Sequence, residues 1–112
     1  MKTYPLYLNN IWLVSAPFEQ VINPATGEPL AQVSTLDRER VARAIADAHE
    51  AFKSWRRLPA KARADFLLAI AAEVEERKQD IARTITLENG KPLAQSVGEV
   101  AMTVDHLRWF AE

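Results

Sequence analysis

The chain has 112 residues, 48% hydrophobic and 26% charged, with 14 basic and 15 acidic side chains and a formal net charge of −1. That composition is globular, so disorder is not expected over most of the chain, and the mixture of acids and bases shows no basic stripe of the kind a nucleic-acid binder carries. Cysteine is absent, which excludes disulfides, thiolate metal sites and a cysteine nucleophile within these residues, and fits a reducing cytosol.

The start, Met1 to Tyr4, carries one lysine and no apolar core of the kind a secretory signal needs. No apolar run approaches the roughly 20 residues that span a bilayer, so a soluble cytoplasmic protein with no membrane or nucleic-acid partner is expected. Arg56, Arg57, Lys61 and Arg63 form the densest basic cluster. At a helix junction they read as solvated cover rather than a polyanion site.

Up to Ser34 the residues are strand- and turn-like. Leu6-Tyr7-Leu8 and Ile11-Trp12-Leu13-Val14 flank Asn9-Asn10, a pair that tolerates positive φ, and predict a small hairpin. A second hairpin is predicted from Phe18–Ile22 and Pro29–Val33. Between them Asn23-Pro24-Ala25-Thr26-Gly27-Glu28 places a proline early in the turn and a glycine late. Two short hairpins bury little by themselves.

From Ser34 onward the pattern is helical. Ser34 with Asp37 three residues on is an N-cap pattern, with Thr35 competing. Val41, Ile45, Ala48, Phe52 and Trp55 then make one apolar stripe on a helix ending near Arg57. Pro59 suits the first turn of the next helix, whose stripe is Phe66, Leu67, Ile70, Ala71 and Val74. The charged run Glu75 to Asp80 predicts a break. Ile81, Ala82, Ile85 and Leu87 carry a further helix to Asn89-Gly90, where glycine can take the left-handed C-cap. Pro92 opens the last helix, with Leu93, Val97, Val100, Val104, Leu107 and Ala111 in line. Its stripe runs to the final residues with Trp109 and Phe110 beside it, so a further partner surface is expected and the sequence reads as truncated.

Catalytic patterns are missing from the inventory. Gly27, Gly90 and Gly98 are the only glycines and lie too far apart to form a phosphate-cradling loop. His49 and His106 are the only histidines, and neither belongs to a ligand cluster. Asp105 is about 100° around the helix from His106, and Glu99 about 10 Å along its axis. Thr26, Ser34, Thr35, Ser54 and Ser96 have no base placed to activate them, and caps or turns account for them. Glu75 and Glu76 point apart as solvent cover. Trp12, Trp55 and Trp109 sit at or beside apolar stripes and are expected in the core.

Several segments, in order, carry a resemblance. They are Leu6-Tyr7-Leu8-Asn9-Asn10-Ile11-Trp12, Val21-Ile22-Asn23-Pro24-Ala25-Thr26-Gly27-Glu28, Ala51-Phe52-Lys53-Ser54-Trp55 and Arg63-Ala64-Asp65-Phe66-Leu67. After them come Thr86-Leu87-Glu88-Asn89-Gly90-Lys91-Pro92, Gly98-Glu99-Val100 and Arg108-Trp109-Phe110-Ala111. Together they resemble the N-terminal region of the NAD(P)-dependent aldehyde dehydrogenase superfamily, nearest in wording to succinate-semialdehyde dehydrogenases and related ω-aldehyde enzymes.

The resemblance implies an α/β parent fold with a Rossmann-type cofactor domain. Residues 1–112 would be the N-terminal part of that domain, with hairpins over 1–33 and three to four helices over 34–112. It implies an oxidoreductase in which a cysteine thiolate attacks the aldehyde and amide donors hold the oxyanion. Hydride passes to NAD or NADP, and a glutamate activates water to release the acid. No residue here matches those roles; Lys91 is not the cofactor lysine, nor Glu88 the general base. The partners implied are the remainder of an aldehyde dehydrogenase chain and further copies in a homo-oligomer. Some members hold a structural monovalent cation with backbone carbonyls before the Asn-Pro turn and a carboxylate in the last helix. The matching positions are Val21, Ile22 and Glu99, all oxygen donors of the kind hard cations prefer. The alternative is a free-standing helical interaction module without activity. On either view the chain alone is expected to be inactive, and as a fragment to fold poorly by itself.

Overall fold

Five short strands and four helices make up the computed structural model, which describes residues 1–112. They cluster into two compact units, Met1–Arg57 and Leu58–Glu112. The change from strand to helix comes near Ser34, whereas the units divide after the first helix.

In the first unit both predicted hairpins form. Strands β2 (Leu6–Leu8) and β3 (Ile11–Leu13) pair antiparallel, with Asn9 at φ 47° and Asn10 at φ 64° making the turn. Asparagine reaches this region because its short amide can bond locally, a freedom β-branched residues lack. Tyr7 lies opposite Trp12 with ring centroids 4.7 Å apart. Strands β4 (Phe18–Ile22) and β5 (Pro29–Ser34) form the second hairpin. Its loop is held by Asn23 N–H to Glu28 O, Gly27 N–H to Asn23 O, and the Asn23 side-chain oxygen accepting from Ala25 N–H. Gly27 supplies the positive φ, 75°. The structure adds a strand the sequence pattern did not announce. β1 (Thr3–Tyr4) runs parallel to β5, giving a sheet of order β1-β5-β4. Two residues are too short for alternation to be read, and what ties them down is long-range: the Gln32 amide donates to Thr3 Oγ1 at 2.6 Å.

Helix α1 (Arg38–Trp55) is capped by Asp37, not by Ser34 or Thr35. Asp37 Oδ1 accepts the Arg40 N–H at 2.8 Å, and Oδ2 accepts from the Arg40 guanidinium at 2.9 Å. The backbone N–H first, and the guanidinium second, hold the Asp37 carboxyl below its ordinary value. The two hydroxyls are engaged elsewhere. Ser34 Oγ, buried, accepts the Ser15 N–H, and Thr35 Oγ1 donates to Pro17 O. They fasten the segment between the two hairpins instead of the helix.

The α1 stripe is a correction. Val41, Ile45, Phe52 and Trp55 are 42%, 65%, 49% and 38% exposed, and α1 buries no residue at all. Periodicity marks the face a helix can bury; whether anything covers it is a separate, tertiary matter.

The second unit holds α2 (Ala60–Glu76), α3 (Lys78–Asn89) and α4 (Leu93–Ala111), with α4 packed against both α2 and α3. The break predicted over Glu75–Asp80 falls at Arg77. Ala71, Ala82, Ser96, Val100 and Val104 are each no more than 2% exposed and form the centre. Small side chains at those contacts let the helix axes approach closely. On α2 the inward line runs through half-buried Leu67 and Val74 and buried Ala71, so the expected stripe is only partly right: Phe66 and Ile70 are 55% and 49% exposed. On α4 the inward line matches expectation from Val97 through Ala111, but Leu93 is exposed. The tryptophans were expected in the core and are not there: Trp12 is 70% and Trp109 72% exposed.

Gly90 closes α3 at φ 86°, and its N–H donates to Thr86 O. An L side chain in that conformation costs roughly 1–2 kcal/mol. Gly98 sits inside α4, and a Cβ added there meets nothing within 4 Å. Gly90→Ala is therefore expected to destabilise the helical unit by about 1 kcal/mol, while Gly98→Ala stabilises it by about 0.5–1 kcal/mol. Urea denaturation followed by circular dichroism separates the two, and equal shifts of the same sign would contradict this account.

Candidate functional site

The residue types that could carry chemistry are dispersed along the chain. His49, on α1, and His106, on α4, are exposed. No group of three or more His, Cys, Asp or Glu side chains is placed to hold a metal ion. Among the glycines, Gly27 and Gly98 open on empty space and Gly90 is a helix cap, so no glycine brings backbone amides around a phosphate. The residues of this segment therefore do not fit a dinucleotide. No side-chain nitrogen or oxygen is buried without a partner.

Each unit carries a hollow. The first, about 140 Å³, lies between the β2–β3 hairpin and α1, lined by Leu8, Leu13, Leu36, Arg40, Arg43, Ala44 and Asp47. Arg40 there is bound to Asp37, and Arg43 is 3.8 Å from Glu39. The second, about 240 Å³, is bounded by Glu73, Val74, Arg77 and Ile81, with Arg77 paired to Glu73 at 3.3 Å. Both are shallow and bring no nucleophile next to a base.

Three residues were singled out as oxygen donors. Val21 and Ile22 end β4, where the register shifts: Val21 faces Ala31 but Ile22 faces Pro29, leaving Leu30 over. A bulge of this kind interrupts the ladder, and Pro29 has no N–H to give, so the β4 end has fewer donors for its carbonyls. Glu99 belongs to α4 in the other unit, with its side chain 49% exposed. Lys91, in the Gly90–Pro92 junction, donates from Nζ to Glu99 Oε1. Below it Thr86 Oγ1 and Ser96 Oγ are bonded at 2.8 Å, tying α3 to α4. Periodicity does not reveal either pair, since their members lie eight and ten residues apart across a turn. The one available signal was opposite charge on the two sides of the Gly-Lys-Pro junction.

Residues 12–112 match the profile of the aldehyde dehydrogenase family. The chain belongs to that family. It is 39% identical over 108 residues to a 3-sulfolactaldehyde dehydrogenase of Pseudomonas putida, covering 95% of this chain and 22% of that protein. A glutarate-semialdehyde dehydrogenase of Pseudomonas putida is also 39% identical over 108 residues, with the same shares covered. Among solved structures, an NADP-dependent glyceraldehyde-3-phosphate dehydrogenase from Bacillus halodurans complexed with NADP superposes with a TM-score of 0.95 at 34% identity, over 99% of this chain and 24% of that one. A succinate-semialdehyde dehydrogenase from Burkholderia pseudomallei gives 0.91 at 35% identity, over 96% and 23%.

This aldehyde dehydrogenase segment thus spans between a fifth and a quarter of the length of those relatives, and corresponds to their N-terminal region. Its helices and short strands are those of an N-terminal part of the family's α/β fold. No helix is long and apolar enough to cross a membrane.

Proposed function

We propose that this segment is the structural opening of an NAD(P)-dependent aldehyde dehydrogenase that oxidises a short aldehyde with an acidic far end, succinate semialdehyde or a near relative, to the carboxylic acid. The observation that carries the reading is a match along 95% of the chain to family members acting on 3-sulfolactaldehyde and glutarate semialdehyde, with malonate-semialdehyde dehydrogenases matching alongside. The sulfonate and carboxylates of those substrates share one feature: a negative charge beyond the reacting carbon. The parent enzyme uses NAD or NADP, is cytoplasmic and is a homo-oligomer. Its remaining residues are the partner of the exposed apolar side chains, Ile45, Phe52, Met102, Trp109 and Phe110 among them.

No oxidation step belongs to this segment itself. What its residues contribute is shape: the capped α1, the α2–α3–α4 cluster and the two hairpins. Glu99 in the helical unit, and separately the carbonyls of Val21 and Ile22 in the strand-bearing unit, are proposed as oxygen donors to a monovalent cation. The support is the resemblance, the all-oxygen chemistry, and the interrupted ladder at Val21 and Ile22.

The test is a chimera carrying residues 1–112 in place of the matching segment of the Pseudomonas putida glutarate-semialdehyde dehydrogenase. It is expected to fold and to form NADH or NADPH from a semialdehyde within about tenfold of the parent, a cost of about 1.4 kcal/mol in the barrier. A soluble, cofactor-binding chimera that oxidises only aldehydes lacking an acidic end would defeat the substrate reading. A chimera that never assembles would defeat the structural one.

A further inference from the structure

We propose that the outer edge of β4 pairs with the same edge of a second copy of this chain, joining two β1-β5-β4 sheets across a twofold axis. The inference goes beyond the enzymatic reading above and does not depend on it.

β4 is the last strand of its sheet, with β5 on one side and no strand on the other. An edge strand turns a row of unpaired N–H and C=O groups outward, a template on which another strand can pair. Folded proteins guard such edges with lysine, proline or a bulge, or keep them very short. The opposite edge of this sheet is guarded in that way. β1 has two residues, and β5 opens with Pro29, which has no N–H to offer. β4 has five residues, among them no lysine and no proline. The irregularity at Val21–Ile22 places its extra residue, Leu30, in β5 and leaves the edge strand itself continuous.

The residues of β4 also suit a copy of themselves. In the antiparallel register that overlaps all five, Gln20 lies on the axis opposite Gln20, with Phe18 opposite Ile22 and Glu19 opposite Val21. A carboxamide both donates and accepts, so the two glutamines can bond to each other. Phe18 and Ile22 are 41% and 42% exposed and would cover one another on both sides of the axis. An aromatic side chain across from a β-branched one is a favourable cross-strand pair. Glu19 meets an apolar side chain. A shift of the register that set Glu19 against Glu19 would be opposed by like charge. An isologous contact closes at two copies, and the guarded far edge stops the sheet from growing further.

The experiment is sedimentation equilibrium of the full chain from micromolar to millimolar concentration, with Gln20→Lys and Gln20→Glu. The wild type is expected to dimerise. Each variant alone sets two like charges face to face on the axis and is expected to raise the dissociation constant about five- to tenfold. An equimolar mixture of the two sets opposite charges there and is expected to recover dimerisation at least to the wild-type level. Circular dichroism checks that the variants stay folded, as an exposed position should allow. Hydrogen exchange of the wild type reads the same edge without a substitution: amides within residues 18–22 are expected to slow as concentration rises. A chain that stays monomeric throughout would overturn the proposal. So would association unchanged in both variants, the result if Met102, Trp109 and Phe110 carried it instead, or a mixture no tighter than either variant alone.

Discussion

The 112-residue chain by itself is expected to form no NADH or NADPH from succinate, glutarate or malonate semialdehyde. Aldehyde oxidation by the route implied above needs a thiolate to attack the carbonyl, and the chain has no cysteine. Loss of a catalytic nucleophile alone costs on the order of a million-fold in rate where it has been measured in a hydrolase. Here the dinucleotide cradle is lacking as well, since Gly27 and Gly98 face open space and Gly90 is a cap. The check is absorbance at 340 nm with purified chain at high micromolar concentration, each semialdehyde and each cofactor. Steady turnover proportional to chain concentration, surviving repurification, would overturn the assignment of a purely structural role.

Val104→Asp is expected to dissolve the helical unit, whereas Trp109→Asp, five residues on, is expected to leave it folded. Size alone would predict the reverse, because tryptophan loses far more surface. Position decides. Val104 is 1% exposed within α4, the helix that packs on α2 and α3, while Trp109 is 72% exposed. A carboxylate at 104 forfeits a buried valine, worth roughly 1.5–3 kcal/mol. It must also lie unpaired in an apolar site or take up a proton to do so, at a cost of at least about 1–3 kcal/mol. Marginal domains have about 0.05–0.15 kcal/mol per residue, so a loss near 4 kcal/mol consumes most of the stability of a unit this small. Replacing Trp109 removes no buried contact and stays within about 0.5 kcal/mol. It also shrinks the apolar surface that Met102, Trp109 and Phe110 present, so self-association should fall. Helical circular dichroism and size-exclusion chromatography of both variants at low micromolar concentration give the answer. A Trp109→Asp chain that loses more helix than Val104→Asp would refute the burial pattern.

Several readings came straight from local chemistry. Asn9-Asn10 and the Pro24–Gly27 turn specify backbone angles that few other residues tolerate, and both hairpins formed where they were placed. Gly90, Pro59 and Pro92 marked helix ends for the same reason, and α4 shows the inward line its spacing predicts from Val97 onward. The wording of those turns and caps was also enough to point to the family.

Other features needed the folded chain. The cap of α1 went to Asp37 because Ser34 and Thr35 found partners 18 or 19 residues back, a choice no local rule ranks. The strand at Thr3–Tyr4 exists through pairing with β5, almost 30 residues away. Lys91 meets Glu99 only across a turn. The stripe of α1 is as regular as that of α4, yet one buries nothing and the other builds a core. Sequence by itself determined where the backbone turns, where helices begin and end, and which faces are apolar, since those follow from each residue's own sterics and polarity. Tertiary structure alone decided which apolar face is covered and which polar groups meet, because burial and pairing depend on neighbours far away along the chain.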